Sequence, residues 1–326
     1  MVLRYNKSMN KNNPPIIWMV HPRSLQDVEK GMPMLKKIPP FLKLIALLCL
    51  SPYKASAFNE NNNVRGFVVA VPLLPFHFQK YKSFSKFRLG QAFKLAKKLG
   101  AEKVSVGGMI TTLAEDAKLG KKYGIEVFDG TDLLAQVAAQ KVLLLINKGE
   151  SNIKSIGIIG ATTKTGSRLS KYLSAEYTQN LLFFAKTLAN VKSLAEECRK
   201  IGTANITEYV SLDQIGKCDV CILTAFIPGS GADIVSNLKK ESIFLSIIEP
   251  VSPFVADIEK NRPDVHLTKG VTIKAPSLSY SGLDFVISSG DAFSCLAEAL
   301  VADNGKKSYG PHDVSETLKA SNFQIS

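Results

Sequence analysis

Residues 153–173, IKSIGIIGATTKTGSRLSKYL, are the stretch whose reading decides the fold. The apolar run at residues 156–159 has the character of a buried strand. It passes straight into Gly160-Ala161-Thr162-Thr163-Lys164-Thr165-Gly166 and then into a helical pattern carrying Leu169, Tyr172 and Leu173. A junction of this kind leaves unpaired N–H groups at a helix start, where the helix dipole also favours negative charge, so it can hold a phosphate. The spacing is a variant of the G-x-x-G-x-x-G dinucleotide fingerprint, with Gly160 and Gly166 in place and Thr163 where the middle glycine would sit. An ordinary strand-to-helix turn is the competing reading.

Downstream, the alternation continues. Strand-like runs at 181–184, 206–210, 219–225, 242–248 and 271–274 follow the first, and a helix over 191–201 is capped by Asn190 and stopped by Gly202. Six short apolar runs separated by helices or turns describe an α/β fold with a doubly wound parallel sheet. A cofactor is expected across the carboxyl ends of the strands that start at Ile156 and Asp219, which brings in Thr224 and Ala225. Enzymes that use NAD usually place Asp or Glu about 20 residues past the loop to bind the ribose hydroxyls. Here the second strand ends in Ala185-Lys186-Thr187, with no acid until Glu196. A cation and a hydroxyl suit a 2′-phosphate, so the expected cofactor is NADP(H).

Upstream, residues 1–15 are polar, end in Pro14-Pro15 and read as a loose tail. Ser24 opens a helix with Asp27 as capping-box partner. Residues 41–50, FLKLIALLCL, are the most apolar run, yet ten residues make only ~15 Å of helix and cannot cross a bilayer core. Residues 34–57 combine lysines, an apolar centre and Ala55-Ser56-Ala57 in the layout of a signal peptide. The structured-looking sequence before them favours a buried or membrane-grazing helix instead. A strand over 64–74 runs into a proline turn. The basic segment 80–100 then places Ala92, Phe93, Ala96 and Leu99 on one helical face and Lys94, Lys97 and Lys98 on the other. A strand over 102–110 contains Gly107-Gly108, which lets a substrate approach the backbone. A third strand at 124–128 and an almost wholly apolar helix at 132–146 follow. The expected division is a tail at 1–15, an α/β substrate-binding domain at 16–150 and a Rossmann domain at 151–326.

The 326 residues are 45% apolar and 21% charged, which fits globular domains and excludes a disordered chain. The net charge of +13 permits an acidic partner: nucleic acid, an anionic membrane surface or an acidic carrier protein. Five cysteines, an odd number without the spacing of a secreted scaffold, point to a reducing compartment and a cytoplasmic location. Cys218 and Cys221 form a C-x-x-C inside an apolar run with no second pair, so they read as core residues and no metal site is expected. His21, His77, His266 and His312 are scattered without a partner at a catalytic or metal-binding spacing.

Residues 290–302, GDAFSCLAEALVA, read as a helix with Ser288, Ser289 or Asp291 near its cap. That puts Cys295 in an early turn, where the positive helix end favours thiolate. A thiolate there can attack a thioester carbonyl; a packed core cysteine is the plainer alternative.

In the order of these segments the chain resembles the NADPH-dependent long-chain acyl-(acyl-carrier-protein) reductases, the aldehyde-forming enzymes of alkane synthesis, from about residue 17 onward. The resemblance is carried by MVHPRSLQDV, FVVAVPLLP, VSVGGMITTL, IGIIGATTKTGSRL, FFAKTLANVKSLAEEC, AFSCLAEALV and the terminal SYGPHDVSETLKASNFQ. It implies that Cys295 is the acylated nucleophile, that Gly160 and Gly166 line the pyrophosphate, and that Lys186 meets the 2′-phosphate. Acyl carrier protein or acyl-CoA would be the substrate, an aldehyde-consuming enzyme a partner, and nucleic acid not a partner. Membrane contact without a crossing stays open. Three departures from the family pattern stand out: Thr163 in the loop, Thr131-Asp132-Leu133-Leu134 after Gly130, and Ile247-Ile248-Glu249-Pro250 after the strand at Ser242. Two other readings are an NADP-linked alcohol dehydrogenase of the shikimate-dehydrogenase kind and a non-catalytic binding protein that kept the fold.

Overall fold

The computed structural model describes residues 14–147, 153–225, 231–248, 253–269, 272–281, 287–303, 316, 318–319 and 321–325. The first part of the chain contains β1 (Ile16–Val20), α1 (Leu25–Gly31), α2 (Pro40–Cys49), β2 (Tyr53–Glu60), β3 (Asn63–Ala70), α3 (Pro75–Lys80) and α4 (Lys82–Lys98). It continues with β4 (Lys103–Val106), α5 (Met109–Asp116), α6 (Leu119–Tyr123), β5 (Glu126–Phe128) and α7 (Thr131–Asn147). The second part alternates β6 (Ser155–Ile159), α8 (Lys164–Glu176), β7 (Asn180–Phe184), α9 (Leu188–Arg199), β8 (Asn205–Tyr209) and β9 (Val220–Leu223). After these come α10 (Gly231–Asn237), β10 (Ile243–Ser246), α11 (Pro253–Asn261) and β11 (His266–Lys269). The chain closes with β12 (Ile273–Lys274), β13 (Leu278–Ser281), β14 (Asp291–Ala292), α12 (Ser294–Asp303) and β15 (Gln324–Ile325).

The fold is α/β, and the second part is a doubly wound sheet. Its six strands are parallel and lie in the order β11-β10-β9-β6-β7-β8, so the direction of winding reverses between β6 and β9. That reversal opens a crevice at the strands' carboxyl ends, where ligands of such sheets bind. The sixth strand is not residues 271–274. His266–Lys269 takes that edge, pairing with β10, while Ile273–Lys274 joins a small sheet with β14 and β15. An edge strand needs fewer buried side chains, so HLTK lacked the apolar run that marked its neighbours.

The first sheet has the order β13-β2-β3-β1-β4-β5, with β1, β3, β4 and β5 parallel and β2 antiparallel to both β3 and β13. Strand β2 was not foreseen. It contains Ala55-Ser56-Ala57, and it turns into β3 through Asn61 (φ 50°) and Asn62 (φ 65°), a left-handed pair suited to a tight hairpin. Strand β13 and helix α12 return to this first unit from the far end of the chain. The boundary near residue 150 therefore marks where the second sheet begins, but the cysteine helix is not carried by that sheet; it packs against β4, β5 and α7. One core cluster joins the two units, running from Ile16, Trp18 and Val68 through α7 and α12 to Ile156, Ile158 and Leu245.

Two helix starts differ from expectation. Helix α9 begins at Leu188 with Thr187 at its N-cap, so Asn190 lies in its first turn rather than capping it. Helix α12 begins at Ser294 because Asp291 and Ala292 are already paired to β12, so Ser288, Ser289 and Asp291 are not its caps. Ser24 does accept from the N–H of Asp27, whose own carboxylate turns to Arg23 instead of completing a capping box. In the predicted tail, residues 1–13 lie outside the described residues, while the Pro14 carbonyl accepts from Arg65 at 3.0 Å.

Candidate functional site

The loop after β6 is wound tightly enough to require its glycines. Gly160 has φ +83°, and a Cβ there would come within 2.9 Å of both Ala225 Cβ and Thr224 Oγ1. A Cβ on Gly166 would stand 2.2 Å from the Gly160 carbonyl. Thr224 Oγ1 holds the junction from the β9 side, sharing its proton between the Ile159 and Gly160 carbonyls at 2.9 Å each. Thr163, at φ −73°, needs no glycine. It is the N-cap of α8, donating to the Gly160 carbonyl at 2.8 Å and accepting from the Gly166 N–H at 3.1 Å. Gly160 and Ala161 are buried, while Thr162, Thr163 and Thr165 are half-buried. The first-turn N–H groups of Lys164 and Thr165 have no acceptor within the helix.

Lys164 does not turn toward this loop. Its Nζ pairs with Glu115 of α5 and with Asp129 just after β5, so it bridges the two units. Burial alone would raise Asp129, but the hydrogen bonds from Lys164 and Thr131 hold it below the usual carboxylate range. Lys186 and Thr187 are exposed just past the end of β7. The glycine-lined turn and the first-turn N–H groups with no acceptor inside the helix offer a place for the phosphates of a dinucleotide.

Cys295 is the second residue of α12 and is buried. Of the glycine pair expected to admit a substrate, Gly107 stands directly beside it, and Gly130, for which no such role was expected, adjoins its backbone. A Cβ on Gly107 would lie 3.4 Å from Cys295 Sγ, and one on Gly130 (φ +73°) would lie 2.3 Å from the Cys295 backbone nitrogen. Cys295 faces a largely apolar cavity of about 340 Å³ that also touches Gly107, Gly108, His21, Leu47 and Ile247. Because Ile247 follows β10, the cavity spans the space between the two sheets. Helix position was expected to favour thiolate here, but burial outweighs it. Burial pushes the thiol up, the Ser105 hydroxyl and the Leu296 N–H pull it down, and the charge of Glu298 raises it again.

Two site residues escaped the reading of the sequence. His21 has no partner at a telling spacing, yet it lines the Cys295 cavity. Burial lowers its pKa, so the ring is neutral at pH 7. The Pro22 carbonyl, 3.1 Å from Nδ1, can only accept a proton, which leaves the Nε2 lone pair free. Nε2 lies 3.3 Å from where a Cβ on Gly108 would be. Its position just beyond the buried strand IIWMV, at a carboxyl end, was the available signal. Glu298, one turn after Cys295, is the other. Its carboxylate accepts from the N–H of Gly130 at 2.8 Å and of Leu133 at 3.4 Å, yet burial pushes its pKa up to about 7.

Other readings are plainly placed. Cys218 and Cys221 are core residues, and a Cβ on Gly157 would lie 2.5 Å from Cys218 Sγ. Lys94, Lys97 and Lys98 are exposed opposite buried Ala92, Phe93 and Ala96. His77 Nδ1 accepts from the Leu74 N–H, His266 stands 3.5 Å from Glu241, and His312 lies outside the described residues.

No protein-family model and no curated protein matches this sequence. Among solved structures, quinate dehydrogenase from Corynebacterium glutamicum in complex with NAD is similar at 12% identity and TM-score 0.38, over 78% of this chain and 88% of that one. D-mandelate dehydrogenase from Rhodotorula graminis is similar at 10% identity and TM-score 0.31, over 79% and 87%. Lactate dehydrogenase from Eimeria maxima with NADH and oxamate is similar at 13% identity and TM-score 0.29, over 36% of this chain, and the chain spans 44% of that enzyme's length.

Proposed function

We propose that this chain is a nicotinamide-dependent oxidoreductase, and more narrowly that it reduces a fatty acyl thioester, carried by acyl carrier protein or coenzyme A, to an aldehyde with NADPH. The observation that carries this reading is Cys295, set in the first turn of α12 against Gly107 and Gly130 at the wall of an apolar cavity. Gly107 leaves the space beside the sulfur without a side chain, and Gly130 lets its own backbone pack against the start of α12. In this reading Cys295 Sγ attacks the carbonyl carbon, its proton passes to His21 Nε2, and the carrier leaves as a thiol by taking that proton back. A bound reduced dinucleotide would supply hydride to the acyl carbon; the Cys295–carbon bond then breaks with its electron pair on sulfur, aldehyde leaves, and the thiolate takes a proton from solvent to restore the thiol. Gly160 and Gly166 let the pyrophosphate approach the α8 N-terminus, and Lys186 with Thr187 receives the 2′-phosphate.

The test combines the protein with NADPH and a long-chain acyl-CoA or acyl carrier protein. Aldehyde formation and an acyl adduct on Cys295 are expected, and Cys295→Ala should abolish both. If the Cys295→Ala variant turns over unchanged, the thioester chemistry is overturned.

A second reading, an NADP-linked alcohol dehydrogenase of the shikimate-dehydrogenase kind, is favoured by the neutral His21 and the buried, protonated Cys295 thiol. Nε2 of His21 can take a hydroxyl proton without any covalent step. NADP-dependent oxidation of a hydroxy acid by the Cys295→Ala variant would select it.

A further inference from the structure

We propose that helix α2 and the turn before it dock on an anionic lipid surface, bringing that surface beside the Cys295 cavity. Helix α2, PFLKLIALLC, has two apolar faces. Its single charge, Lys43, is 4% exposed and turned inward to Glu29, while Leu47 beside it is 1% exposed and lines the cavity. The outer face carries Phe41 at 62%, Leu42 at 42% and Ile45 at 54%, with Met34 of the preceding turn at 82%. Seven of the eleven most exposed large apolar side chains among the described residues fall between residues 34 and 87, including Phe76 of α3 and Phe87 of α4. Both helices adjoin α2. Arg88 donates to the Leu48 carbonyl and to Ser51, and Leu74, just before α3, shares a core with Leu47.

Charge selects the occupant. From residue 30 to residue 101 the sequence has thirteen lysines and arginines and a single acid, Glu60, so nearly all of the net +13 resides there. Lys36 and Lys37 are exposed at the start of the apolar face. An uncharged apolar ridge rimmed by lysines is what an interfacial helix presents to acyl chains and anionic headgroups, and ten residues lie in an interface without crossing it. An acidic protein surface would use the lysines but leave Phe41 and Ile45 in water. Among the described residues no helix is long and apolar enough to cross a membrane. The docking stands on this surface chemistry; its use in delivering substrate rests on the acyl-thioester reading above.

The test floats the full chain with vesicles of phosphatidylcholine alone and with vesicles containing about one-third phosphatidylglycerol. Co-flotation is expected with the second kind and not the first. Replacing both Lys36 and Lys37 by Gln should weaken partition about thirtyfold. Phe41→Ser with Ile45→Ser should weaken it at least tenfold, roughly the transfer cost of the two side chains. All four sites are exposed, so melting temperatures should stay unchanged. Equal flotation of the variants, no flotation at all, a dimer that dissociates in the Phe41→Ser/Ile45→Ser variant, or binding of acyl carrier protein lost in that variant would each overturn the proposal. Acyl-CoA turnover without vesicles is measured in parallel. Turnover without flotation removes the docking and keeps the reductase; flotation without turnover does the reverse.

Discussion

Cys295 and Glu298 lie one turn apart on α12, and their titrations are linked. Glu298 is pushed up from the ordinary value of 4.5 to about 7. A carboxyl raised in the folded state binds its proton more tightly there than in the unfolded chain. Its stabilising contribution is therefore complete below about pH 4.5 and is lost as pH rises to about 7, about 3 kcal/mol in all. Urea melts of Glu298→Gln should show this slope removed, because the neutral amide oxygen still accepts from Gly130. The same variant should lower the pH at which iodoacetamide alkylates Cys295, since the Glu298 charge raises the thiol; an unmoved profile would break the link. Thr163 is the other residue whose meaning changed. In sequence it is a departure, a β-branched residue where the middle glycine would sit, whereas in the structure its hydroxyl caps α8. Thr163→Gly should cost only a few tenths of a kcal/mol and keep the melting shift that the proposed binding of NADPH predicts. A lost shift would show instead that the hydroxyl itself holds the dinucleotide.

At the scale of elements, the junction of β6 and α8 was legible because its signals are local: a four-residue apolar run, two glycines and a helix period. Gly166 ties helix to strand so closely that Gly166→Ala has no room, with Gly160 O at 2.2 Å and Ala161 O at 2.9 Å from the added carbon. Both obstacles are backbone, so a loss of at least about 2 kcal/mol in denaturant melts is expected, together with loss of the NADPH melting shift. The starts of α9 and α12 and the edge strand β11 were less legible. The last two are decided by a neighbour: β14 pairs with β12 before α12 can begin, and β10 recruits His266–Lys269 whatever its polarity.

At the scale of the whole molecule, the described residues form two six-stranded sheets and a small third one, and one core cluster joins the two large sheets. Strand β13 crosses from the far end of the chain to pair with β2, and α12 packs beside β4, while Lys164 bridges from the loop to Glu115 and Asp129. A core continuous across both sheets should unfold as one transition in calorimetry, and NADPH should move that single peak as a unit. Two separate peaks, one moved by NADPH, would contradict the sharing. The doubly wound half, the glycine-bearing junction of β6 and α8, the glycine pair and the cysteine helix could be read in sequence, because periodicity and glycines act over a few residues. What set Cys295 against Gly107 and Gly130, drew His21 into the same cavity, raised Glu298 and turned Lys164 across to the other unit was the packing of residues up to about 270 positions apart. Burial and long-range contact determine whether a thiol, an imidazole or a carboxyl holds its proton, and neither is encoded in local spacing.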